Sequence, residues 1–454
     1  MFRKLRNDAF YSQMGKLLLP IVLQNLLNAV VSSADVVMLN FVDESAIAAV
    51  SLATQYTTVL MMVFYGLGTG ATMLCAQYFG KGDMRAIETV QGIALRFSML
   101  LALLFAGMSA VFPELMMRLF TPEEHLIALG AKYLRIMSIS YLCWSVTEVY
   151  ISVLRSIGRV AIGTALNSSA AVLNIILNAV FIFGTDLGVQ GVAIATSVSR
   201  LIELLLCFVV SARSKDIKLR FRYLFVRNKL LFRDFLRLSI PAMANDVVWS
   251  VGFSMYSVIL GHLGEAAVAA NSLASVVRNF GTVLSFGIAS AGGVLIGQII
   301  GDNRMEDARD GAKKTVKLTV VSSIAGGLLI LASIPFVLMY ANRSFSDTAK
   351  QYLTTMMLIN CYYVVGQAVN TTIIAGIFRA GGDSRFGLIC DFIDMWIYAV
   401  PIGFIAAFWL KLPVVWVYFI LCTDEFVKWP WVIKRYRSGK WLKNITRDDL
   451  FEES

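Results

Sequence analysis

The sequence predicts an all-α polytopic membrane protein, with about twelve transmembrane helices in two homologous six-helix halves forming a parallel repeat. Three observations predict it: an apolar composition, apolar runs of membrane-spanning length, and a repeat at an offset of 221 residues. Of the 454 residues, 57% are hydrophobic and only 15% are charged, against about a quarter charged in an average soluble domain. The mean hydropathy is +0.70. Such a chain has too little polar surface to face water on all sides, so its solvent is lipid. Lipid satisfies no open backbone N–H or C=O, which leaves helices or a closed barrel. The apolar runs extend over roughly 20–28 residues without alternation, a helical rather than a barrel-strand pattern.

In chain order the apolar segments cover about 15–40, 50–79, 92–117, 130–154, 160–183, 188–212, 238–260, 268–300, 315–340, 352–378, 386–410 and 412–433. The connections between them are of two kinds. Basic ones contain Lys81 and Arg85, Arg155 and Arg159, the stretches 213–237 and 304–317, and Arg379 with Arg385. The alternate ones read VDES, TPEEH, GTDLGVQ and GHLGEA and hold no Lys or Arg, although Arg118, Lys132, Arg343, Lys350 and Lys411 flank them. The positive-inside rule then puts both termini in the cytoplasm, and the expected location is the plasma membrane. The start MFRKLRNDAFYSQMGK lacks the order of a signal peptide. Residues 213–237 are basic and amphipathic and are expected to lie on the anionic inner leaflet. They would join an N-terminal lobe (1–212) to a C-terminal lobe (238–434), with a cytoplasmic tail at 435–454. Topology therefore accounts for the net charge of +10, and no nucleic-acid partner is expected. Six cysteines stand singly inside apolar runs, which indicates neither a disulfide framework nor a metal centre.

The repeat is the most informative feature. At an offset of 221, Pro20 meets Pro241, Glu44 meets Glu265, Gly66 meets Gly287, Gln77 meets Gln298 and Gly80 meets Gly301, without a gap over about 60 residues. VLRSIGR at 153–159 meets IFRAGGD at 377–383 at a slightly larger offset. An even number of helices per half brings both halves in from the same side, one of the repeat types used for alternating access.

On these grounds the chain resembles the multidrug and toxic compound extrusion (MATE) family of the MOP flippase superfamily. The resemblance rests on LPIVLQNLLNAVVSSADVVMLNFV with AIAAVSLA, on VLNIILNAVFIFGTDLGVQGVAIAT, and on IPAMANDVVWSVG, AAVAANSL and FRAGGDSRFG. It covers nearly the whole chain. What it implies is a secondary antiporter that exports small organic, cationic or drug-like molecules in exchange for H⁺ or Na⁺. It also implies no cofactor, no enzymatic activity and a monomer whose only other partner is membrane lipid. The alternative is a flippase for lipid-linked precursors or polysaccharides, which needs a large cationic cavity and two further spans. FGKGDMRA after the second helix departs from the major facilitator pattern, and the absence of a Walker A motif argues against direct ATP coupling.

Ionisable residues within spans are costly and mark function. Counting about 1.5 Å per residue along each helix places Asp35, Asn178 and Thr196 at one depth in the outer half of the bilayer, with Asn174 one turn from Asn178. The resemblance implies ion coupling at such a helix-1 aspartate, with Na⁺ a candidate there. Where the family often has a second acid this chain has Asn178, which leaves Asp35 as the expected sole acid of the cluster. A second group, Asp246, Asp391, Asp394, Glu425 and Lys428, falls at a common depth toward the inner face. There Asp246 is expected to recognise an ion or cation, while Asp391 and Glu425 with Lys428 hold two helices in register. Asp246 faces the neutral Asn25 in the repeat, so the halves are chemically unequal. Glu148 is a further candidate for cation binding, and Arg278 is expected to partner an acid. Arg200 and Glu203 read as a structural pair, and GLGTG at 66–70 as close helix packing rather than a phosphate loop.

Overall fold

The computed structural model describes residues 9–39, 44–185, 187–214, 217–342 and 345–450, except for the side chains of 28–39, 44 and 221. Among the described residues the chain is helical and contains no strand. The first half comprises α1 (Ala9–Leu39), α2 (Glu44–Lys81), α3 (Met84–Val111), α4 (Glu124–Ser156), α5 (Val160–Gly184) and α6 (Val189–Arg213). The second comprises α7 (Lys229–Gly261), α8 (Glu265–Gly301), α9 (Met305–Ala341), α10 (Asp347–Phe378) and α11 (Ser384–Trp409). A last span follows, broken into α12 (Val414–Leu421), α13 (Asp424–Val427) and α14 (Trp429–Ser438). Among the described residues, nine helices are long and apolar enough to cross a membrane. In α7, Asn245, Asp246 and several serines dilute the apolar run, and the last span is divided around charged residues. Both departures mark the site described below.

Local chemistry explains the helix boundaries. Asp83 caps α3 by accepting the Ala86 N–H at 2.9 Å, and Ser346 caps α10 by accepting that of Ala349 at 3.2 Å. Pro430 stands in the first turn of α14, where its missing N–H is harmless, and it separates α14 from α13. Leu100, Leu103 and Leu104 on α3, Leu328 and Leu329 on α9, and Trp409 at the end of α11 are all exposed, a surface suited to lipid.

The residues group into two units. The first holds residues 20–243 with 446–454, and the second holds 1–19 with 244–445. Both α1 and α7 are therefore divided along their length between the units. In the first unit, Met243 and Ser239 from the start of α7 press on Gly66 and Gly70 of α2, while Gly68 faces Ser152 of α4. A side chain at any of the three glycines would collide, so GLGTG serves close packing. Phe97 of α3 packs against Phe232 and Phe235, at ring distances of 5.4 and 6.0 Å. Among the described residues of 213–237 there is one 3₁₀ turn, Phe221–Leu224, and α7 begins at Lys229. The same unit takes in the end of the chain. Arg447 makes a two-pronged pair with Asp234 at 2.6 and 3.0 Å, Lys81 contacts Asp448 at 2.6 Å, and Leu450 is buried. In the second unit, Phe10 and Met14 from α1 pack beside Gly311 and Gly292.

The units differ in helix regularity. In the second, α10 is π-helical over Thr372–Phe378, and α11 over Ile393–Ala399 and Ile405–Trp409. The first-unit helices α5 and α6 are α-helical over their whole length. A π turn inserts one residue and re-aims the side chains around it, which is why such turns gather at functional positions.

Candidate functional site

In the first unit the structure brings Asn174, Asn178 and Thr196 together. Asn178 donates to the Asn174 side-chain oxygen at 3.2 Å, and Asn174 donates to the Thr196 hydroxyl at 3.1 Å. Thr196 in turn donates to the Val192 carbonyl at 3.0 Å. The spacing of four along α5 puts both amides on one face, and both are buried. Asp35 lies on α1, but its side chain is outside the described residues. Among the described residues the cluster consists of amides and a hydroxyl, groups able to solvate a proton or a small cation beside an acid.

Two other first-unit candidates separate cleanly. Arg200 donates to Glu203 at 2.7 Å, and its guanidinium lies 4.7 Å from the Trp144 ring centre, so this is a fixed internal pair. Glu148 is half-buried against Gly68 and makes no hydrogen bond or ion pair among the described residues.

The second unit gathers charge around one cation. The Lys428 ammonium lies 3.1 Å from Asp391, 3.3 Å from Asp394 and 3.0 Å from Glu425, with its side chain only 2% exposed. Asn370 of α10 donates to the Glu425 carboxylate at 2.7 Å. Neither oxygen of the fully buried Asp394 receives a hydrogen bond, and this residue stands within the π turn of α11. The neighbouring Asp424 accepts the Tyr256 hydroxyl at 2.7 Å, the Tyr363 hydroxyl at 3.5 Å and the Glu425 N–H at 2.7 Å. Three carboxylates thus share one ammonium, with a fourth beside them, in a region sealed from solvent. Burying uncompensated charge is expensive, so the excess must be neutralised by protons or a cation.

Asp246 does not meet Lys428. It pairs with Arg379 at 2.5 Å, and Arg379 also donates to the Asn245 side-chain oxygen at 2.8 Å. Asn245 donates to Asp391 at 2.7 Å, so it relays between the two ion-pair systems. Removing the Asp246 charge would cost Arg379, 7% exposed, its carboxylate partner and leave it the Asn245 side-chain oxygen. Arg379 directly follows the last residue of α10, and its long stem carries the charge back to α7. The expected acid partner of Arg278 is also missing. Arg278 makes no ion pair among the described residues, and the Asp424 carboxylate is taken by the two tyrosine hydroxyls.

Sequence reasoning missed Asp424, Arg379, Asn245 and Asn370. Asp424 adjoins Glu425 within an apolar run and could have been found by the same rule of intramembrane acids. Arg379 reads as an inner-loop basic residue, and the two amides carry no signal above ordinary helix packing.

The comparisons agree with this architecture. The MatE family model matches residues 20–180 and 241–405, one stretch in each half. The probable multidrug resistance protein NorM of Thermotoga maritima is 24% identical over 450 residues, covering 96% of this chain and 95% of its own length. The uncharacterized transporter YisQ of Bacillus subtilis is 22% identical over 433 residues, covering 93% of each chain. Among solved structures, the outward-facing conformation of a multidrug resistance MATE family transporter of the MOP superfamily matches with a TM-score of 0.85 at 20% identity, over 96% of this chain and 98% of that one. With most of each half matched by the same family model, this chain belongs to the MatE family of membrane transporters.

Proposed function

We propose that this protein is a secondary antiporter of the plasma membrane that exports organic, cationic or drug-like molecules in exchange for H⁺ or Na⁺. It acts as a monomer with both termini in the cytoplasm and works by alternating access. The observation that carries the reading is the excess of buried carboxylates around Lys428, acids able to take up a proton or a cation. Relatives named as multidrug resistance proteins support the substrate class.

In this reading Asp35, with Asn174, Asn178 and Thr196, forms the coupling site. Protonation of Asp35, or Na⁺ binding there, shifts the balance between outward-open and inward-open states, and the exported molecule competes for the same equilibrium. The acids of the second unit attract the cationic substrate. Asp246 in that unit and Glu148 in the first are more open to a ligand than the carboxylates around Lys428.

The test is efflux of a cationic dye from proteoliposomes, first under an imposed proton gradient and then under a sodium gradient. One gradient should drive efflux, and Asp35→Asn should abolish that driven component while the protein remains folded and inserted. Efflux by Asp35→Asn at the wild-type rate would remove the first-unit site from the mechanism. Indifference of the wild type to both gradients would overturn the antiport reading.

A further inference from the structure

The second unit holds a cation that makes no ion pair among the described residues, although Asp424 of the acid cluster lies within electrostatic range of it. Arg278 lies on α8, thirteen residues in from Glu265, or about 20 Å along the helix. An arginine at that depth is costly and is ordinarily paired. Here its guanidinium sits between two rings, 5.3 Å from the centre of Phe253 and 5.7 Å from that of Tyr363. Its Nε is buried without a hydrogen-bond partner, and no ion pair reaches it among the described residues.

Two neighbouring features point to what it awaits. The Tyr418 hydroxyl, within electrostatic range of Arg278, donates to the Asn360 side-chain oxygen at 3.0 Å. The Asn360 amide nitrogen is then left buried without an acceptor. Donors are thus in surplus around Arg278, whereas acids are in surplus around Lys428. Beside Phe253 the rings of Trp249 and Tyr256 continue along α7, at centre distances of 4.4 and 5.2 Å. Residues 249, 253 and 256 recur at helical spacing, so they form one aromatic face.

We propose that Arg278 anchors the carboxylate of an aromatic acid or zwitterion within the second unit, with the Trp249–Phe253–Tyr256 face holding its ring. A guanidinium offers a planar fork that a carboxylate fills with two parallel hydrogen bonds. Phe253 and Tyr363 orient that fork by their ring faces. The site widens the substrate class beyond simple cations. It rests on the efflux reading for its physiological role but not for its binding chemistry.

The test uses the purified full chain and two fluorescent dyes on one ring system, rhodamine B with a free benzoate and its ethyl ester, read by fluorescence polarisation. The wild type should bind the free acid more tightly than the ester. Arg278→Gln should weaken the acid about tenfold and leave the ester within about twofold, with Arg278→Lys between, because an ammonium keeps charge without the fork. Should Arg278→Gln fail to fold, competition on the wild type decides: 1-pyrenecarboxylate should displace rhodamine B and its methyl ester should not. Equal weakening of both dyes would make Arg278 a packing residue and overturn the proposal. So would no acid preference in the wild type, or displacement by acid and ester alike. If binding follows the prediction but neither gradient moves either dye in proteoliposomes, the antiport reading fails and the site stands.

Discussion

The two halves of this molecule share a repeat but build their main polar clusters from different chemistry. The first-unit cluster joins amides and a hydroxyl through single neutral hydrogen bonds on regular helices. Its second-unit counterpart sets four carboxylates, a lysine and an arginine pair on helices with π turns. Neutral hydrogen bonds contribute about 1 kcal/mol each, so the first cluster can rearrange at low cost. Breaking a buried ion pair costs several times more. A duplicated scaffold has thus been divided into a lightly held region and a tightly coupled one, and the repeat alone does not reveal which half is which.

Substitutions can break that contrast. The largest effect is expected for Lys428→Met, which leaves the acids without their cation and should lower stability by about 3–5 kcal/mol in thermal denaturation of purified protein. A loss below about 1 kcal/mol would mean that the acids do not depend on Lys428, and the second unit would be no more tightly coupled than the first. Next come Asp246→Asn and Arg379→Gln, each expected to lose about 1–3 kcal/mol by stranding a partly buried partner. The double variant should lose less than the sum of the two, because the second substitution strands nothing new. Strict additivity would dissolve the pair seen at 2.5 Å. The smallest effect belongs to Asn174→Ala, about 1–2 kcal/mol for two neutral hydrogen bonds, with ion-driven efflux reduced more than stability. Destabilisation on the scale of Lys428→Met would erase the distinction between the units.

Much of this was legible in the sequence, for identifiable reasons. Apolar runs have to match the bilayer, so the twelve segments can be read from composition alone. The meeting of Asn174, Asn178 and Thr196 followed from counting residues along helices. So did that of Asp391, Asp394, Glu425 and Lys428. Arg379 was not legible as a partner of Asp246, because a basic residue at such a helix end is already explained by topology. The π turns of α10 and α11 leave no trace in residue pattern, since tertiary packing imposes them. The division of α1 and α7 between units was equally hidden, because nothing in a continuous apolar helix marks where its packing partners change.

The docking of the chain's end has a consequence for biosynthesis. Residues 446–454 belong with residues 20–243, although about 200 residues are made between them. At about 5–20 residues per second, Asp234 waits roughly 10–40 s for Arg447, and Lys81 roughly 20–70 s for Asp448. Residues 9–19 likewise are made well before α8 and α9, beside which Met14 and Phe10 pack. Neither unit can therefore be completed while the ribosome is still at work on the second half. Truncation before Arg447 would deprive the first-made half, rather than the last, of the partners of Asp234 and Lys81.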